Sequence, residues 1–362
     1  MALHLRKCRI AMATALVTTL LTPFPATAAG ASAAQRAGSC TARSDPALAA
    51  QLAREIRAVL VARRSTVSVA LHDPATGLSC SLGSSHRYDT ASIAKVMIME
   101  AALRRAQDWG RGLTTWERRK IRPMIIRSDN TAARRLFDDL GQSYIARFLG
   151  RAGTAATTLN PYGLWGLTRT SAADQLRLLG VLTGARARAL LSPTSRAYGL
   201  KQLNEVRRDQ RWGVPAGMPR GTKAYLKNGW LPRSTHGWRV HSIGAFTGAD
   251  KGKGKGKGKT KEAGTGTGAG AGKDRSRTYR IVVLSHDNPT MKYGVRTIER
   301  VAQAVHRALN KGRSAGQELT PENEISEVPD GSVPADARPD TGSDTGPDTG
   351  PESPPEQDAA NR

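Results

Sequence analysis

The sequence predicts an α/β fold of the α+β type, in which a five-stranded antiparallel sheet is flanked by helices and stands beside an all-α lobe. Short β-type runs occur near both ends of the folded part, two early and three late, and a helix-rich section of about 92–197 separates them. Apolar residues also recur at helical spacing before the first run and after the last one. A helix at each end can therefore cover the sheet.

The elements follow one another in a simple order. A helix is predicted over 46–63, directly after Pro46, and a closing helix over 292–310. Asp73–Gly77 has the composition of a turn between the first two strands. The predicted strands cover 67–71, 78–82, 224–226 running into Lys227, 238–246 and 279–285.

The net charge of the chain is +25, from 55 basic and 30 acidic residues. Residues 250–277 hold nine basic and three acidic residues, whereas 318–362 hold twelve acidic and two basic ones. The charges of these two segments partly cancel, so the positive charge lies on the folded body and favours an anionic partner. The composition excludes a collagen-like chain, a membrane bundle and a small disulfide scaffold.

Residues 1–28 have the parts of a secretory signal peptide. Arg6, Lys7 and Arg9 precede the apolar run 10–21, which is too short to span a bilayer, and 26–28 offers small residues for cleavage. We therefore expect a secreted, extracellular protein with a Sec-type signal peptide and no transmembrane span. An uncleaved N-terminal anchor and a lipid anchor at Cys40 are the less supported alternatives.

Two segments have compositions that cannot form a packed core. Residues 250–278 alternate Lys and Gly and predict a disordered insert between the last two strands. Residues 313–362 are acidic and Pro-rich and predict a disordered tail. One domain over 40–312 remains. The tail is also a candidate to fold back on the basic body, in which case deleting 318–362 strengthens polyanion binding.

Export leaves two cysteines, because Cys8 is removed with the signal peptide. In an oxidising compartment Cys40 and Cys80 suggest one disulfide, and two free thiols are the alternative. The sequence contains no CxxC or HExxH spacing, so we expect no metal site and no cofactor.

The first candidate for chemistry is Ser92-Ile93-Ala94-Lys95, at the start of a predicted helix with Thr90 as its N-cap. Residues three apart share a helix face, so the Lys95 amine can approach the Ser92 hydroxyl. A serine becomes a nucleophile when a base takes its proton, and a lysine of lowered pKa can do this. Taken alone, the same spacing usually marks a solvated helix face.

Two further motifs follow along the chain. Ser128-Asp129-Asn130 lies between two amphipathic helices, where its simplest interpretation is an N-cap cluster. Lys227-Asn228-Gly229-Trp230 lies at a predicted strand end, where Gly229 permits close approach of a ligand and where a plain turn is the alternative.

The three motifs in this order resemble those of class A β-lactamases and penicillin-binding proteins, whose pattern is Ser-x-x-Lys, Ser-Asp-Asn and Lys-Thr-Gly. Here they read SIAK, SDN and KNG. The resemblance covers about 46–310 and implies a β-lactamase/transpeptidase-like fold.

The resemblance also implies a role for each motif residue. Ser92 would be the acylated nucleophile, Lys95 the amine that takes its proton, and Ser128 the relay to the leaving nitrogen. Asn130 would bind the substrate amide. Lys227 would hold Ser128 electrostatically and help to bind a substrate carboxylate, to which the Asn228 amide could still donate, while Gly229 would let the substrate come close to the backbone. The backbone N–H groups of Ser92 and Trp230 would form the oxyanion hole.

The sequence departs from the family pattern at three places. Asn228 replaces a hydroxyl residue, and the interval from Ser92 to Ser128 is short. The loop glutamate that would activate a deacylating water is missing: alignment on Asn160 puts Ala156 there, and 151–170 contains no Asp or Glu. We therefore expect acylation to outpace deacylation.

These observations predict a serine hydrolase that forms an acyl-serine with β-lactams or acyl-D-Ala-D-Ala-like amides, as a monomer. A non-catalytic cell-wall-binding pseudo-enzyme and a polyanion-binding secreted protein are the alternatives. An anionic cell-wall polymer is a further candidate partner. Nucleic acid is not expected as a partner, because export separates the protein from cellular nucleic acid and the sequence contains no recognised nucleic-acid-binding motif.

Overall fold

The architecture described here is that of a computed structural model, which describes residues 38–83, 86–184, 190–248, 277–310 and 315–333. The predicted signal peptide, most of the Lys-Gly insert and the tail beyond 333 lie outside these ranges. The elements follow in the order β1 Gly38–Thr41, α1 Pro46–Val61, β2 Thr66–Asp73, β3 Leu78–Leu82, β4 Tyr88–Asp89, α2 Ala94–Asp108, α3 Thr115–Ile126, α4 Asn130–Leu140, α5 Gln142–Ala152, β5 Arg169–Thr170, α6 Ala172–Thr183, α7 Pro193–Asn204, β6 Lys223–Pro232, β7 Trp238–Gly248, β8 Arg277–Asn288 and α8 Met291–Leu309.

The main sheet has strand order β1-β3-β2-β8-β7-β6, with every neighbouring pair antiparallel. The expected fold class is confirmed, but the expectation of five strands is wrong, because β1 adds a sixth strand along β3. Cys40 and Cys80 face each other in this pair and form a disulfide. Since the Cys40 sulfur is held in that bond, it is not a free thiol for a lipid.

The sheet separates two apolar cores because successive side chains of a strand point to opposite faces. On β8, Ile281 and Val283 belong to the core beneath α1 and α8, whereas Val282 and Leu284 belong to the core of the helical lobe. All four are fully buried. The chain therefore has the sheet and separate all-α lobe that the sequence predicts, and the candidate residues lie where the two meet.

Residues 315–333 correct the prediction that the whole of 313–362 is a disordered tail. Gly316 N donates to Met218 O at 2.7 Å, and Thr320 Oγ1 donates to Glu299 Oε1 at 2.6 Å. Ile325 is only 4 % exposed in the core beneath α8. Composition alone missed this because one apolar residue and a few hydrogen bonds to the body hold an otherwise polar segment in place.

Within the described ranges, no helix is both long enough and apolar enough to cross a bilayer.

Candidate active site

The structure brings the four predicted catalytic side chains together beneath the edge of the sheet. Ser92 lies in a short 3₁₀ turn, Ala91–Ile93, that leads into α2, and Lys95 lies in the first turn of α2. Ser128 lies between α3 and α4, and Lys227 lies on β6. Each is buried: Ser128 is 7 % exposed and the other three 0 %. Three separate stretches of sequence thus form one polar cluster inside the protein.

Lys95 is the centre of this cluster. Its Nζ lies 2.6 Å from Ser92 Oγ, 2.9 Å from Ser128 Oγ and 2.7 Å from Asn130 Oδ1. Burial, followed by the charge of Lys227, holds the pKa of Lys95 well below its usual value. A neutral amine has a lone pair, so Lys95 in this form can accept the Ser92 proton.

Ser128 bridges the two lysines. Its Oγ lies 2.9 Å from Lys95 Nζ and 3.0 Å from Lys227 Nζ. Its φ of 57° is in the left-handed region, which non-glycine residues occupy at a cost in strain that is common at functional sites. Burial lowers the pKa of Lys227 to about 8, against the opposing effect of the Asp330 carboxylate. A proton can therefore pass between the lysines through one hydroxyl.

The Ser-Asp-Asn motif combines capping with site chemistry. Asp129 is the N-cap of α4 and its Oδ1 accepts from Ala132 N at 2.8 Å. The capped helix start holds Ser128 and Asn130 on either side, and both touch Lys95. The capping interpretation is thus correct for Asp129 and describes only part of the motif. Thr90, by contrast, makes no capping bond, since its hydroxyl donates to Trp165 O and Gly166 O.

Two backbone N–H groups converge beside the Ser92 hydroxyl. Ser92 N donates at 2.9 Å and Trp230 N at 3.2 Å to the same oxygen, Asp330 Oδ2. This is the geometry that an oxyanion hole requires, with two donors aimed at one point. Gly229 allows it, because a Cβ there would lie 2.7 Å from Ser92 N and 2.8 Å from Ile93 N.

The Asn228 amide is engaged in hydrogen bonds inside the protein. Its Nδ2 donates to Gln210 O at 2.9 Å and to Trp212 O at 3.0 Å, and the residue is fully buried. These bonds use both amide protons. In this structure Asn228 therefore ties the 210–212 segment to β6 and has no amide proton left for a substrate carboxylate.

The loop before β5 reaches the cluster through an aromatic side chain. The Trp165 ring centroid lies 4.9 Å from Lys95 Nζ, and Trp165 is 2 % exposed. Comparison with the family pattern placed Ala156 where that family has its loop glutamate. The loop residue that contacts Lys95 in the structure is Trp165. An indole has no basic atom that could activate a water. The missing glutamate is thus accompanied by an apolar ring beside the lysine.

Sequence reasoning missed Asp330 as a site residue. The tail was expected to be disordered or to contact the basic body generally, and a lone acidic residue in such a tail carries no positional signal. Trp165 was also missed, since the motif comparison looked for a carboxylate in that loop.

A second polar cluster lies outside this site, where the sequence predicted no metal site. His236, His286 and Asp287 offer ligand atoms within 4.8 Å of one another. Three arginines line the same pocket: Arg87, Arg169 and Arg239. Their positive charge opposes a cation, so we assign no metal to this cluster.

Comparisons with known proteins place the chain among β-lactamase-like proteins. A family model described as the Beta-lactamase enzyme family matches residues 51–119 and 117–244. A Mycobacterium tuberculosis protein named as a lipoprotein, LppW, is 29 % identical over 185 residues, which is 50 % of this chain and 59 % of that protein. The chain therefore spans less than two thirds of the length of this curated relative.

Solved structures show the same fold at low sequence identity. A variant of PBP-A, solved as its acyl-enzyme complex with penicillin G, has a TM-score of 0.55 at 20 % identity and covers 72 % of this chain and 96 % of its own. The TLA-3 extended-spectrum beta-lactamase has a TM-score of 0.56 at 15 % identity, covering 72 % and 98 %.

Proposed function

Since the chain belongs to the beta-lactamase enzyme family, we propose that it is an exported active-site serine hydrolase. It forms an acyl-serine at Ser92 with β-lactams or acyl-D-Ala-D-Ala-like amides and acts as a monomer. One observation carries the proposal: the Ser92 hydroxyl lies 2.6 Å from a buried lysine amine and beside two converging N–H donors. The penicillin G acyl-enzyme of a PBP-A variant supports the choice of substrate class.

Acylation follows from these contacts. Lys95 Nζ takes the Ser92 proton while Ser92 Oγ attacks the amide carbonyl carbon, and the carbonyl oxygen becomes an oxyanion held by the N–H groups of Ser92 and Trp230. The C–N bond then breaks. Ser128 gives its proton to the leaving nitrogen and is reprotonated from Lys95 or Lys227, both within 3.0 Å of its Oγ. With a linear acyl-D-Ala-D-Ala-like amide the products are an acyl ester and a free amine, whereas with a β-lactam the ring opens and the amine stays attached to the acyl group.

Deacylation lacks the loop carboxylate that would activate the attacking water. Residues 151–170 contain no Asp or Glu, and the indole of Trp165 lies against Lys95. General-base assistance typically contributes about 10²–10⁴-fold, so its loss leaves a long-lived acyl-enzyme. The protein would therefore resemble a penicillin-binding protein more than an efficient β-lactamase.

Mass spectrometry after incubation with penicillin G tests the proposal. We expect a stoichiometric adduct on Ser92 in the wild-type chain and none in Ser92→Ala. A chromogenic β-lactam should give a burst followed by negligible turnover. Fast steady-state turnover would contradict slow deacylation, and the absence of an adduct both in the full chain and in a chain shortened to end after Ile325 would contradict catalysis.

The main alternative is a pseudo-enzyme that binds cell-wall peptides without cleaving them. The engagement of both Asn228 amide protons favours it, because the third motif then offers one donor fewer to a substrate. Its signature would be saturable binding of an acyl-D-Ala-D-Ala peptide with no adduct and no product.

A further inference from the structure

The polypeptide that follows α8 returns to the active site and covers it. We call residues 326–333 the strap. Trp230 Nε1 donates to Val328 O at 2.7 Å, and Asp330 N donates to Trp230 O at 3.1 Å. On the opposite side of the cleft, Asn130 Nδ2 donates to Asp330 O at 2.8 Å. The strap therefore bridges β6 and the start of α4, which are the two walls of the site.

The Asp330 side chain occupies the oxyanion hole. Its Oδ2 accepts from both Ser92 N and Trp230 N, while its Oδ1 accepts from Ser332 N at 2.8 Å. This is the position that the carbonyl oxygen of an acyl substrate must take. A negative oxygen there also offsets positive charge on the nearby lysines. Two converging N–H donors stabilise a negatively charged oxygen, so the carboxylate has the sign of charge that this site favours.

The strap contacts β6, which is the last strand in the order of the sheet. Trp230 uses its backbone C=O on the Asp330 N–H and its own N–H on the Asp330 side chain. The side chains of Trp230 and Asn130 bind the strap carbonyls of Val328 and Asp330. The strap thus binds through its own main-chain groups plus one anchoring carboxylate, which are groups that a peptide ligand also offers.

We propose that the strap is an intramolecular inhibitor that occupies the acyl-substrate site and has to leave before Ser92 can be acylated, an inference that rests on the proposed function. Ser92 is 0 % exposed with the strap in place. The strap is not itself a substrate at Asp330, because attack on a carboxylate would have to expel an oxide or hydroxide ion. The ligand class is therefore an acidic peptide that presents a carboxylate to the two N–H groups.

The strap can leave while the preceding segment stays bound. Residues 315–325 are held independently by Thr320 on Glu299 and by the buried side chain of Ile325. Most of the strap is exposed, with Ser332 as its buried residue. Its release breaks a small set of hydrogen bonds and exposes little apolar surface. A chain that ends after Ile325 therefore removes the inhibitor and keeps its anchor.

Acylation rates test the inhibitory role. We expect Asp330→Ala and the chain ending after Ile325 to react with a fluorescent penicillin at least 10-fold faster than the wild-type chain. Glu324→Ala is the matched control, because it removes an exposed acidic side chain from the adjoining segment 315–325, outside the strap, and its rate should stay within twofold of wild type. Equal rates in all variants would overturn the proposal, as would slower acylation in Asp330→Ala, which would make Asp330 a participant in the reaction.

A binding measurement separates this proposal from the proposed function. A synthetic peptide of residues 326–333 is added at millimolar concentration to the shortened chain carrying Ser92→Ala, which cannot be acylated. We expect it to shift the backbone amide NMR signals of residues 92 and 230, and the same peptide with alanine at position 330 to shift them far less. If no chain is acylated but the peptide shifts these signals, the proposed function fails, whereas the inference that the strap occupies this site is supported. If the peptide does not move these signals, the strap proposal fails whatever the acylation result.

Discussion

Burial and a neighbouring charge change the acid–base behaviour of Lys95. Its Nζ is surrounded by the oxygens of Ser92, Ser128 and Asn130, with Lys227 as a second cation nearby. Burial and the neighbouring positive charge both lower the pKa of the Lys95 amine. The motif spacing predicted the approach of Lys95 to Ser92, whereas the low pKa depends on groups from distant parts of the chain.

The pH dependence of acylation tests this state of Lys95. We expect the rate to rise with pH as Lys95 loses its proton, with a midpoint well below the usual value of 10.5 for a lysine. The Asp330 carboxylate raises the pKa of Lys95. Asp330→Ala should therefore move the midpoint to lower pH, whereas Glu324→Ala should leave it in place.

Lys95→Arg completes the experiment. Arginine keeps the positive charge but does not lose its proton in proteins, so it cannot act as the base. We expect acylation to fall by about 10²–10⁴-fold. A rate that stays close to wild type in Lys95→Arg would assign the base to another group.

Asn228 is the residue at which motif comparison and structure differ most. An amide at this place can in principle donate to a carboxylate, as the comparison assumed. Its two protons instead satisfy the carbonyls of Gln210 and Trp212. One-dimensional spacing could not reveal this, because 210–212 approaches β6 only in the folded chain.

At the level of elements, the close contact between β6 and the turn before α2 brings together the two N–H donors of the proposed oxyanion hole. Gly229 makes this contact possible, because no Cβ would fit between the strand and the N–H groups of Ser92 and Ile93. The sequence predicted the glycine as a point of close approach. The structure shows that the near neighbour is the turn that carries Ser92, rather than a ligand alone.

Gly229→Ala tests this packing. An added Cβ would lie 2.7 Å from Ser92 N, so strand and turn must separate and the two donors no longer converge. We expect acylation by a fluorescent penicillin to fall at least 10-fold. Gly150→Ala on α5 is the matched control, because its Cβ meets nothing within 4 Å. An unchanged rate in Gly229→Ala would show that the hole tolerates the displacement.

At the level of the whole molecule, the acidic tail opposes the positive net charge of the chain. The chain carries +25, and residues 326–362 hold nine acidic and two basic side chains. Only the part up to 333 is described, and it lies across a site with two buried lysines. The sequence-based hypothesis that the tail folds back on the body gains a specific docking point in Asp330.

Removal of the tail should strengthen binding to polyanions. The chain ending after Ile325 loses more negative than positive charge, so its attraction to an anionic surface grows. We expect it to elute from phosphocellulose at a higher salt concentration than the full chain, since salt screens this attraction. An unchanged elution midpoint would show that the tail does not shield the basic body.

The sequence by itself determined the fold class, the serine–lysine pair, the serine between two helices and the lysine on β6. Each follows from local periodicity or from a motif of a few residues. Such residues are neighbours in the chain, so their spacing can be read without the fold. Only the tertiary structure decided what surrounds them: Trp165 against Lys95, the engaged amide of Asn228, the sixth strand β1 and Asp330 on the N–H groups of Ser92 and Trp230. These contacts join residues far apart in sequence, and their energies depend on burial and convergence, which a linear pattern does not encode.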